Sequence, residues 1–408
     1  MPFRIMIGAD LVPTESNAEL FKRGDARTLV GEELLEKLNS ADYTIFNLEV
    51  PLTDEQHPII KCGPNLIAPT ATIAGLRSIN PHFFGLANNH ILDQGAEGLA
   101  STIKVLKDAG IDYSGVGKDL DEASKPFIKE IGGRRIGIYC CAEHEFSIAF
   151  EIEPGANPFD PLESLDHVES LKKETDYVIV LYHGGKEHYR YPSPYLQKVC
   201  RRLVDKGADL VVCQHTHCIG CEEKYKSGTI VYGQGNFLFD DSDSEFWQTG
   251  MLIELNESNS LAKINETPET EDICKASQVT GVGDTNEGSE FTVSYVPIVK
   301  DGNKVRLAET EKTKEILDTF QKRSEQIKQP GFVNKNYTTF AEQMEKEYLH
   351  RFSGAFGRNI FVRALNKFTS YGFMKKLYPV TSKVAIENVL DCEAHRELAI
   401  EVLRRCRR

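Results

Sequence analysis

Asp209-Leu210-Val211-Val212-Cys213-Gln214-His215-Thr216-His217 reads as a buried strand whose mouth carries two imidazoles one residue apart. Histidines so placed are typical metal ligands. Upstream, four more apolar runs end in oxygen or nitrogen donors: Asp10 after the first, Glu49 after the second, Asn88-Asn89-His90 after the third and His183 after the fourth. Five strand-end loops thus offer ligands. A set built from oxygen and nitrogen, with no obligatory thiolate, suits two hard or borderline divalent cations better than a structural zinc knot.

Around these loops the chain alternates strand-like and helix-like segments as far as Asp240, the pattern of a layered α/β fold. Strand candidates are 43–48, 83–87, 135–139, 177–182 and 229–232. The helix candidate from Gly98 to Ala109 repeats apolar residues at Leu99, Ile103 and Leu106 and stops at Gly110; Tyr195 to Lys206, stopped by Gly207, follows the same logic. Strands resume at 250–255 and 290–299. Between them, 256–288 is polar and acidic and reads as an exposed, mobile insertion. The division expected is a catalytic domain over 1–309 and a helical, basic extension over 310–408, since from Arg351 onward 12 Lys/Arg face 5 Asp/Glu.

Bulk properties remove several function classes. With 408 residues, 40% of them hydrophobic and 27% charged, the chain has the composition of a folded globular protein. A formal charge of −13 argues against general nucleic-acid binding, which needs a basic footprint. The first apolar run is too short for a secretory signal, and no run is long enough to span a bilayer. Ten dispersed cysteines, several inside apolar strands, read as core residues of a reducing compartment, so a cytoplasmic location is expected.

Each donor has a structural reading as well. An aspartate at a strand end can cap a helix, asparagines can take left-handed turns, and a lone histidine can be a satisfied core residue. Glu49 is harder to place in this way, because a carboxylate closing a buried strand needs a partner, and a cation is one of few that fit. The run Cys218-Ile219-Gly220-Cys221 after the histidine pair supports a rival reading, a single zinc site. That reading leaves the upstream donors unexplained.

The ordered set Asp10, Asn47-Leu48-Glu49, Ala87-Asn88-Asn89-His90-Ile91-Leu92-Asp93-Gln94-Gly95, His183-Gly184-Gly185-Lys186-Glu187, Gly207-Ala208-Asp209, His215-Thr216-His217 and Gly235-Asn236-Phe237 resembles the CapA or PGA-cap capsule-synthesis family. That family is a branch of the calcineurin-like metallophosphoesterases, and the resemblance covers roughly residues 3 to 300. It implies a four-layer αββα sandwich with two divalent ions, drawn from Mn, Fe, Zn or Mg, on loops at the strand ends. Glu49 would bridge them, Asp10 and His217 would hold one, and Asn89, His183 and His215 the other. His90, oriented by Asp93, would be free to protonate a leaving oxygen. Asn88, Glu187 and Asn236 are the expected substrate contacts.

Three departures mark this chain. The superfamily's first motif is Asp-x-His, but Val12 stands where the histidine would be; the bridging carboxylate is a glutamate; and Gly184 replaces a tryptophan common in the branch. The resemblance implies a metal-dependent hydrolase acting on a phosphorylated or anionic, polymer-related substrate in capsule, poly-γ-glutamate or surface-polysaccharide biosynthesis. The alternative is a catalytically degenerate scaffold subunit of a capsule-synthesis complex. In the tail, Phe356, Ile360, Phe361, Ala364, Leu365 and Phe368 have helical apolar spacing with flanking Lys and Arg. That stripe suits packing on the catalytic domain, or peripheral contact with a membrane or synthase complex.

Overall fold

The computed structural model describes residues 3–240, 242–257, 291–352, 360–369, 376 and 378–391. Apart from Asn256 and Glu257, which end a strand, the expected acidic insertion lies outside the described residues, as does Phe356.

The chain forms two compact units, Met1–Val333 and Asn334–Arg408. In the first, one sheet runs in the order Lys304–Leu307, Phe291–Asp301, Thr249–Glu257, Arg4–Val12, Tyr43–Leu48, Phe83–Gly85, Asp112–Ser114, with Asn236–Phe239 paired alongside Arg4–Val12. A second sheet runs Glu222–Tyr225, Gly228–Tyr232, Leu210–Gln214, Tyr177–His183, Arg134–Ala142, Phe127–Ile131. The strands near the centre of each sheet that precede the donor loops pair in parallel, so their C-terminal ends lie side by side.

Alternation along the second sheet decides the layering. Ile136, Ile138, Cys140, Ile179, Leu181, Leu210 and Val212 share a core with Ile7, Ile45, Phe46 and Phe84 of the first sheet. Their neighbours one residue along, Tyr139, Cys141, Val178, Val180, Val211 and Cys213, instead meet Val168 and Leu171 of helix Ser164–Glu174 and Val199, Cys200 and Leu203 of helix Pro194–Asp205. A period of two on a strand sends alternate side chains to opposite faces, so the second sheet is sandwiched between the first sheet and these helices. Helices bearing Phe21, Leu29, Leu34, Leu76 and Leu106 pack on the first sheet. The expected αββα sandwich is the observed architecture.

Within the first sheet the ring of Phe46 lies over the adjacent strand at Gly8, where a Cβ would come within 2.3 Å of it. Beneath the strand ends the buried Gln214 ties the second sheet to the first, and Gln234, in the connection between the sheets, bonds two neighbouring strands of the first. Gln214 donates to Gly8 O (3.3 Å), and Gln234 donates to Ile7 O and Met251 O (3.0 Å each).

Helix Thr310–Ile327, which the sequence reading assigns to the extension, belongs to the first unit. Phe320 packs against Tyr295, Arg323 Nε donates to Gly220 O (2.6 Å), and Ser324 Oγ accepts from the Glu222 N–H (2.8 Å). Its buried face is what moves the boundary from 309 to 333. In the second unit Leu349 and Val362 form a small core with Tyr378, while Ile360, Phe361 and Phe368 are 75%, 80% and 90% exposed. Among the described residues, no helix is long and apolar enough to cross a membrane.

Candidate metal centre

Register aligns the donors. Asp10 pairs with Asn47 across the first sheet, Asn47 with Gly85, and Gln214 with His183 across the second. Loops leaving those ends therefore converge, as expected at the carboxyl ends of parallel strands. The two sheets divide the labour: Asp10, Glu49 and Asn89 come from the first, and His183, His215 and His217 from the second. All six are buried.

Two groups of carboxylate and imidazole atoms close to within 4.8 Å, Asp10 with Glu49 and His183, and Glu49 with His215 and His217. Glu49 is common to both, the place expected of a bridging carboxylate. The two imidazoles of the motif gather around the same Glu49, where the sequence reading separates them. His217 Nδ1 also lies 3.6 Å from Asp10 Oδ2, and His183 Nε2 lies 2.9 Å from Asn89 Oδ1. Among the described residues no such group contains a cysteine. Burial raises the Cys218 thiol to about 11 and pushes Cys221 well up.

The electrostatics are those of a site made for cations. Both Glu49 oxygens and His215 Nδ1 are buried without a hydrogen-bond partner, although His183 Nε2 stands 3.3 Å from Glu49 Oε1. Burial raises Glu49 to about 7, partly offset by His90, and burial with the neighbouring Glu49 charge raises Asp10 to about 6. Burial lowers His183 to about 4 and holds His215 well below the ordinary range, leaving neutral rings with a lone pair to give. Orphaned carboxylate oxygens among neutral imidazoles fit a divalent ion, which would supply the missing charge. His215 (φ 84°), His217 (φ 52°) and nearby His188 (φ 59°) all adopt left-handed backbone, a conformation that only the surrounding structure can hold.

His90 and Asp93 meet as expected, Nδ1 to Oδ2 at 2.5 Å. Glu187 is half-buried, and its charge adds to the upward shift of Glu49. Asn236 Oδ1 lies 2.9 Å from His217 Nδ1, with its Nδ2 buried and unpaired. Asn88 is tied into the surrounding loops. Its Nδ2 donates to Asn47 Oδ1 (3.2 Å) and Leu48 O (2.9 Å), and its Oδ1 accepts from the His90 N–H (3.1 Å), so it joins loops and has no donor left for a substrate.

Sequence reasoning missed several contributors. Asn47 donates to Asp10 Oδ1 (2.7 Å), and Glu145 accepts from Asn89 Nδ2 (3.0 Å), which turns the Asn89 oxygen toward His183. Trp247 stacks on His217 with ring centres 4.6 Å apart and donates to His188 Nε2 (3.0 Å). Only Asn47 had a signal, its place two residues before Glu49.

Fold and site define a layered α/β protein whose strand-end loops gather carboxylate and imidazole side chains around a shared glutamate. The chain belongs to the bacterial capsule synthesis family PGA_cap, whose sequence model matches residues 5–241. It is 32% identical over 212 residues to the capsule biosynthesis protein CapA of Bacillus anthracis, covering 50% of this chain and 52% of that one. It is 26% identical over 233 residues to the PGA biosynthesis protein CapA of Bacillus subtilis (56% and 61%), and 30% identical over 230 residues to a probable polyglutamine synthesis accessory protein of Mycobacterium tuberculosis (52% and 59%). The matches thus span between half and two thirds of these relatives' length. Solved structures similar to it include a novel phosphatase from Mycoplasma pneumoniae, at 14% identity and TM-score 0.39, covering 63% of this chain and 88% of that one. A 5'-nucleotidase precursor from Thermus thermophilus is similar at 15% identity and TM-score 0.38, covering 79% and 59%.

Proposed function

We propose that this protein is a metal-dependent hydrolase of phosphoesterase type, acting on a phosphorylated or anionic, polymer-related substrate in capsule or poly-γ-glutamate biosynthesis. One observation carries the reading: Glu49, with both oxygens buried and unpaired, is shared by two groups of ligand atoms. Two divalent ions held there would supply a nucleophile at neutral pH and polarise the attacked group.

The chain's own residues supply the rest. Asp10, Glu49, Asn89, His183, His215 and His217 hold the ions, and Asn47, Glu145 and Asn236 fix the orientation of three of them. His90, with Nδ1 tied to Asp93, gives the proton to the leaving oxygen. Glu187 and the free Nδ2 of Asn236 are the substrate contacts. The capsule context follows the family and the printed names of the relatives.

The test is a metal-replete screen over phosphomonoesters, phosphodiesters and γ-glutamyl amides, run on wild type and His90→Ala. Turnover of an ester that falls by a factor of about 100 or more in the variant is the expected result. Equal activity in both would remove His90 from the mechanism. The scaffold reading draws on Val12, which leaves one side of the centre a ligand short. It would be favoured by no turnover across the panel together with a single bound ion.

A further inference from the structure

Lys61 is a buried charge that the proposed chemistry does not use; its side chain is 2% exposed. It rides on the loop from Thr53 to Ala68, whose ends are joined by Thr53 N–H to Ala68 O (2.9 Å). That loop is fastened to the turn carrying His90: the Ile59 N–H donates to Asp93 O (3.2 Å), the His57 N–H to Gln94 Oε1 (2.8 Å), and Gln94 Nε2 to Leu66 O (3.0 Å). So held, the Lys61 ammonium bonds Asp93 Oδ1 and stands 3.1 Å from His90 Nδ1 and 6.0 Å from the centre of the Phe146 ring. Asp93 Oδ2 accepts from the Leu66 N–H (2.6 Å) and meets His90 Nδ1 at 2.5 Å.

Donor and acceptor rules resolve this cluster. An ionised carboxylate only accepts and an ammonium only donates. His90 Nδ1 must therefore donate to Asp93, and having done so it has no lone pair for Lys61. What Lys61 gives the ring is its grip on the carboxylate. A buried lysine is a poor choice for stability alone, because apolar packing in place of a buried ion pair is often no less stable.

We propose that Lys61 is a positioning residue for His90: by binding one oxygen of Asp93 it aims the other at Nδ1, fixing the ring plane and keeping the Nδ1 proton directed at Asp93, so that the proton the imidazolium gives up is the one on Nε2. The catalytic consequence rests on the reading of His90 as the group that protonates the leaving oxygen; the structural one does not. Lys61 would thus be a third member of the His90 and Asp93 set, delivered by a separate loop.

The experiment has two arms. In the first, Lys61→Met is expected to lower kcat by a factor of about ten or more on an alkyl phosphate, less on p-nitrophenyl phosphate, whose leaving group needs no proton, with KM within about twofold. A purely structural role would lower both esters alike, and that result would overturn the proposal. In the second, the ring nitrogens of His90 are observed by NMR in metal-free protein labelled with 15N-histidine. The expected spectrum shows protonated Nδ1 in wild type and a mixed tautomer in Lys61→Met; an unchanged ring would sink the idea, even if wild type turns over no phosphate. Should Lys61→Met not fold, with Asp93 left without its counter-charge, the Lys61→Met/Asp93→Asn pair carries the test. Activity and ring signals equal to those of Asp93→Asn alone support a single unit, and a much weaker double variant places Lys61 in some other role.

Discussion

Asn236 Oδ1 lies 2.9 Å from Nδ1 of His217, and this contact decides which nitrogen of that imidazole is available to an ion. An amide oxygen can only accept, so Nδ1 carries the proton and Nε2 keeps its lone pair. Replacing Asn236 with Leu removes the acceptor at similar size. Affinity for the ion nearest His217 is expected to fall roughly 10- to 100-fold, read by titration with Mn or Zn against a chelating competitor. Unchanged affinity would mean that His217 is oriented by Asp10 alone.

The raised carboxylates make metal-free protein sensitive to alkali. Glu49 at about 7 and Asp10 at about 6 hold protons in the folded state that the unfolded chain releases near pH 4 to 5. Between those values the native state binds more protons, so stability is full below the unfolded pKa and is lost as pH rises through the folded one. For Glu49 the loss is on the order of 3 kcal/mol. In a chelator, Tm is expected to drop between pH 5 and pH 8, and to drop less in Glu49→Gln. Added divalent metal should reverse the trend in wild type, because the cation favours the charged carboxylates. A flat profile without metal would contradict the burial argument.

Trp247 is the only tryptophan in the chain, and its ring centre lies 4.6 Å from that of His217. Its emission should therefore report on the centre. Metal titration of wild type is expected to shift or quench the signal with the same midpoint as calorimetry, and His217→Ala to abolish the response. Trp247→Ala, which removes a large buried ring, should cost about 3 to 5 kcal/mol in denaturant unfolding.

Val12 predicts unequal ions. The side chain is 1% exposed and places an apolar group, with no atom to give an ion, two residues after Asp10. Metal analysis during stepwise chelation should show one ion leaving well before the other. Asp10→Asn should lose only the labile one, and Val12→His should tighten it while lowering the Tm of metal-free protein. Simultaneous loss of both ions would remove the asymmetry.

The fold was legible because its signals are local and periodic. Apolar runs at 135–139, 177–182 and 209–213 gave strands, and Gly110 stopped a helix where the structure has a left-handed cap with φ 70°. The six candidate ligands were legible because each sits at or just beyond the end of such a strand. Lys61 and Trp247 were not, since a lysine in an irregular loop and a tryptophan in a short turn acquire their roles only when distant segments close over them. Helix Thr310–Ile327 looked like extension because its polar residues outnumber the few, among them Phe320 and Ser324, that bury against the body. The bonds of Asn88 were not legible either, since Asn47, Leu48 and His90 meet it only when their loops converge.

The glutamine tie between the sheets acquires a further meaning once the origin of the ligands is considered. Oxygen donors stand on one sheet and imidazoles on the other, while Gln214 joins the two layers just below. An ion bound above it is then a rivet through both layers. Amide exchange should slow in Arg4–Val12 and in Tyr177–His183 together on metal addition, making hydration and rigidity of the whole sandwich, rather than of one loop, the property that the metal supply controls.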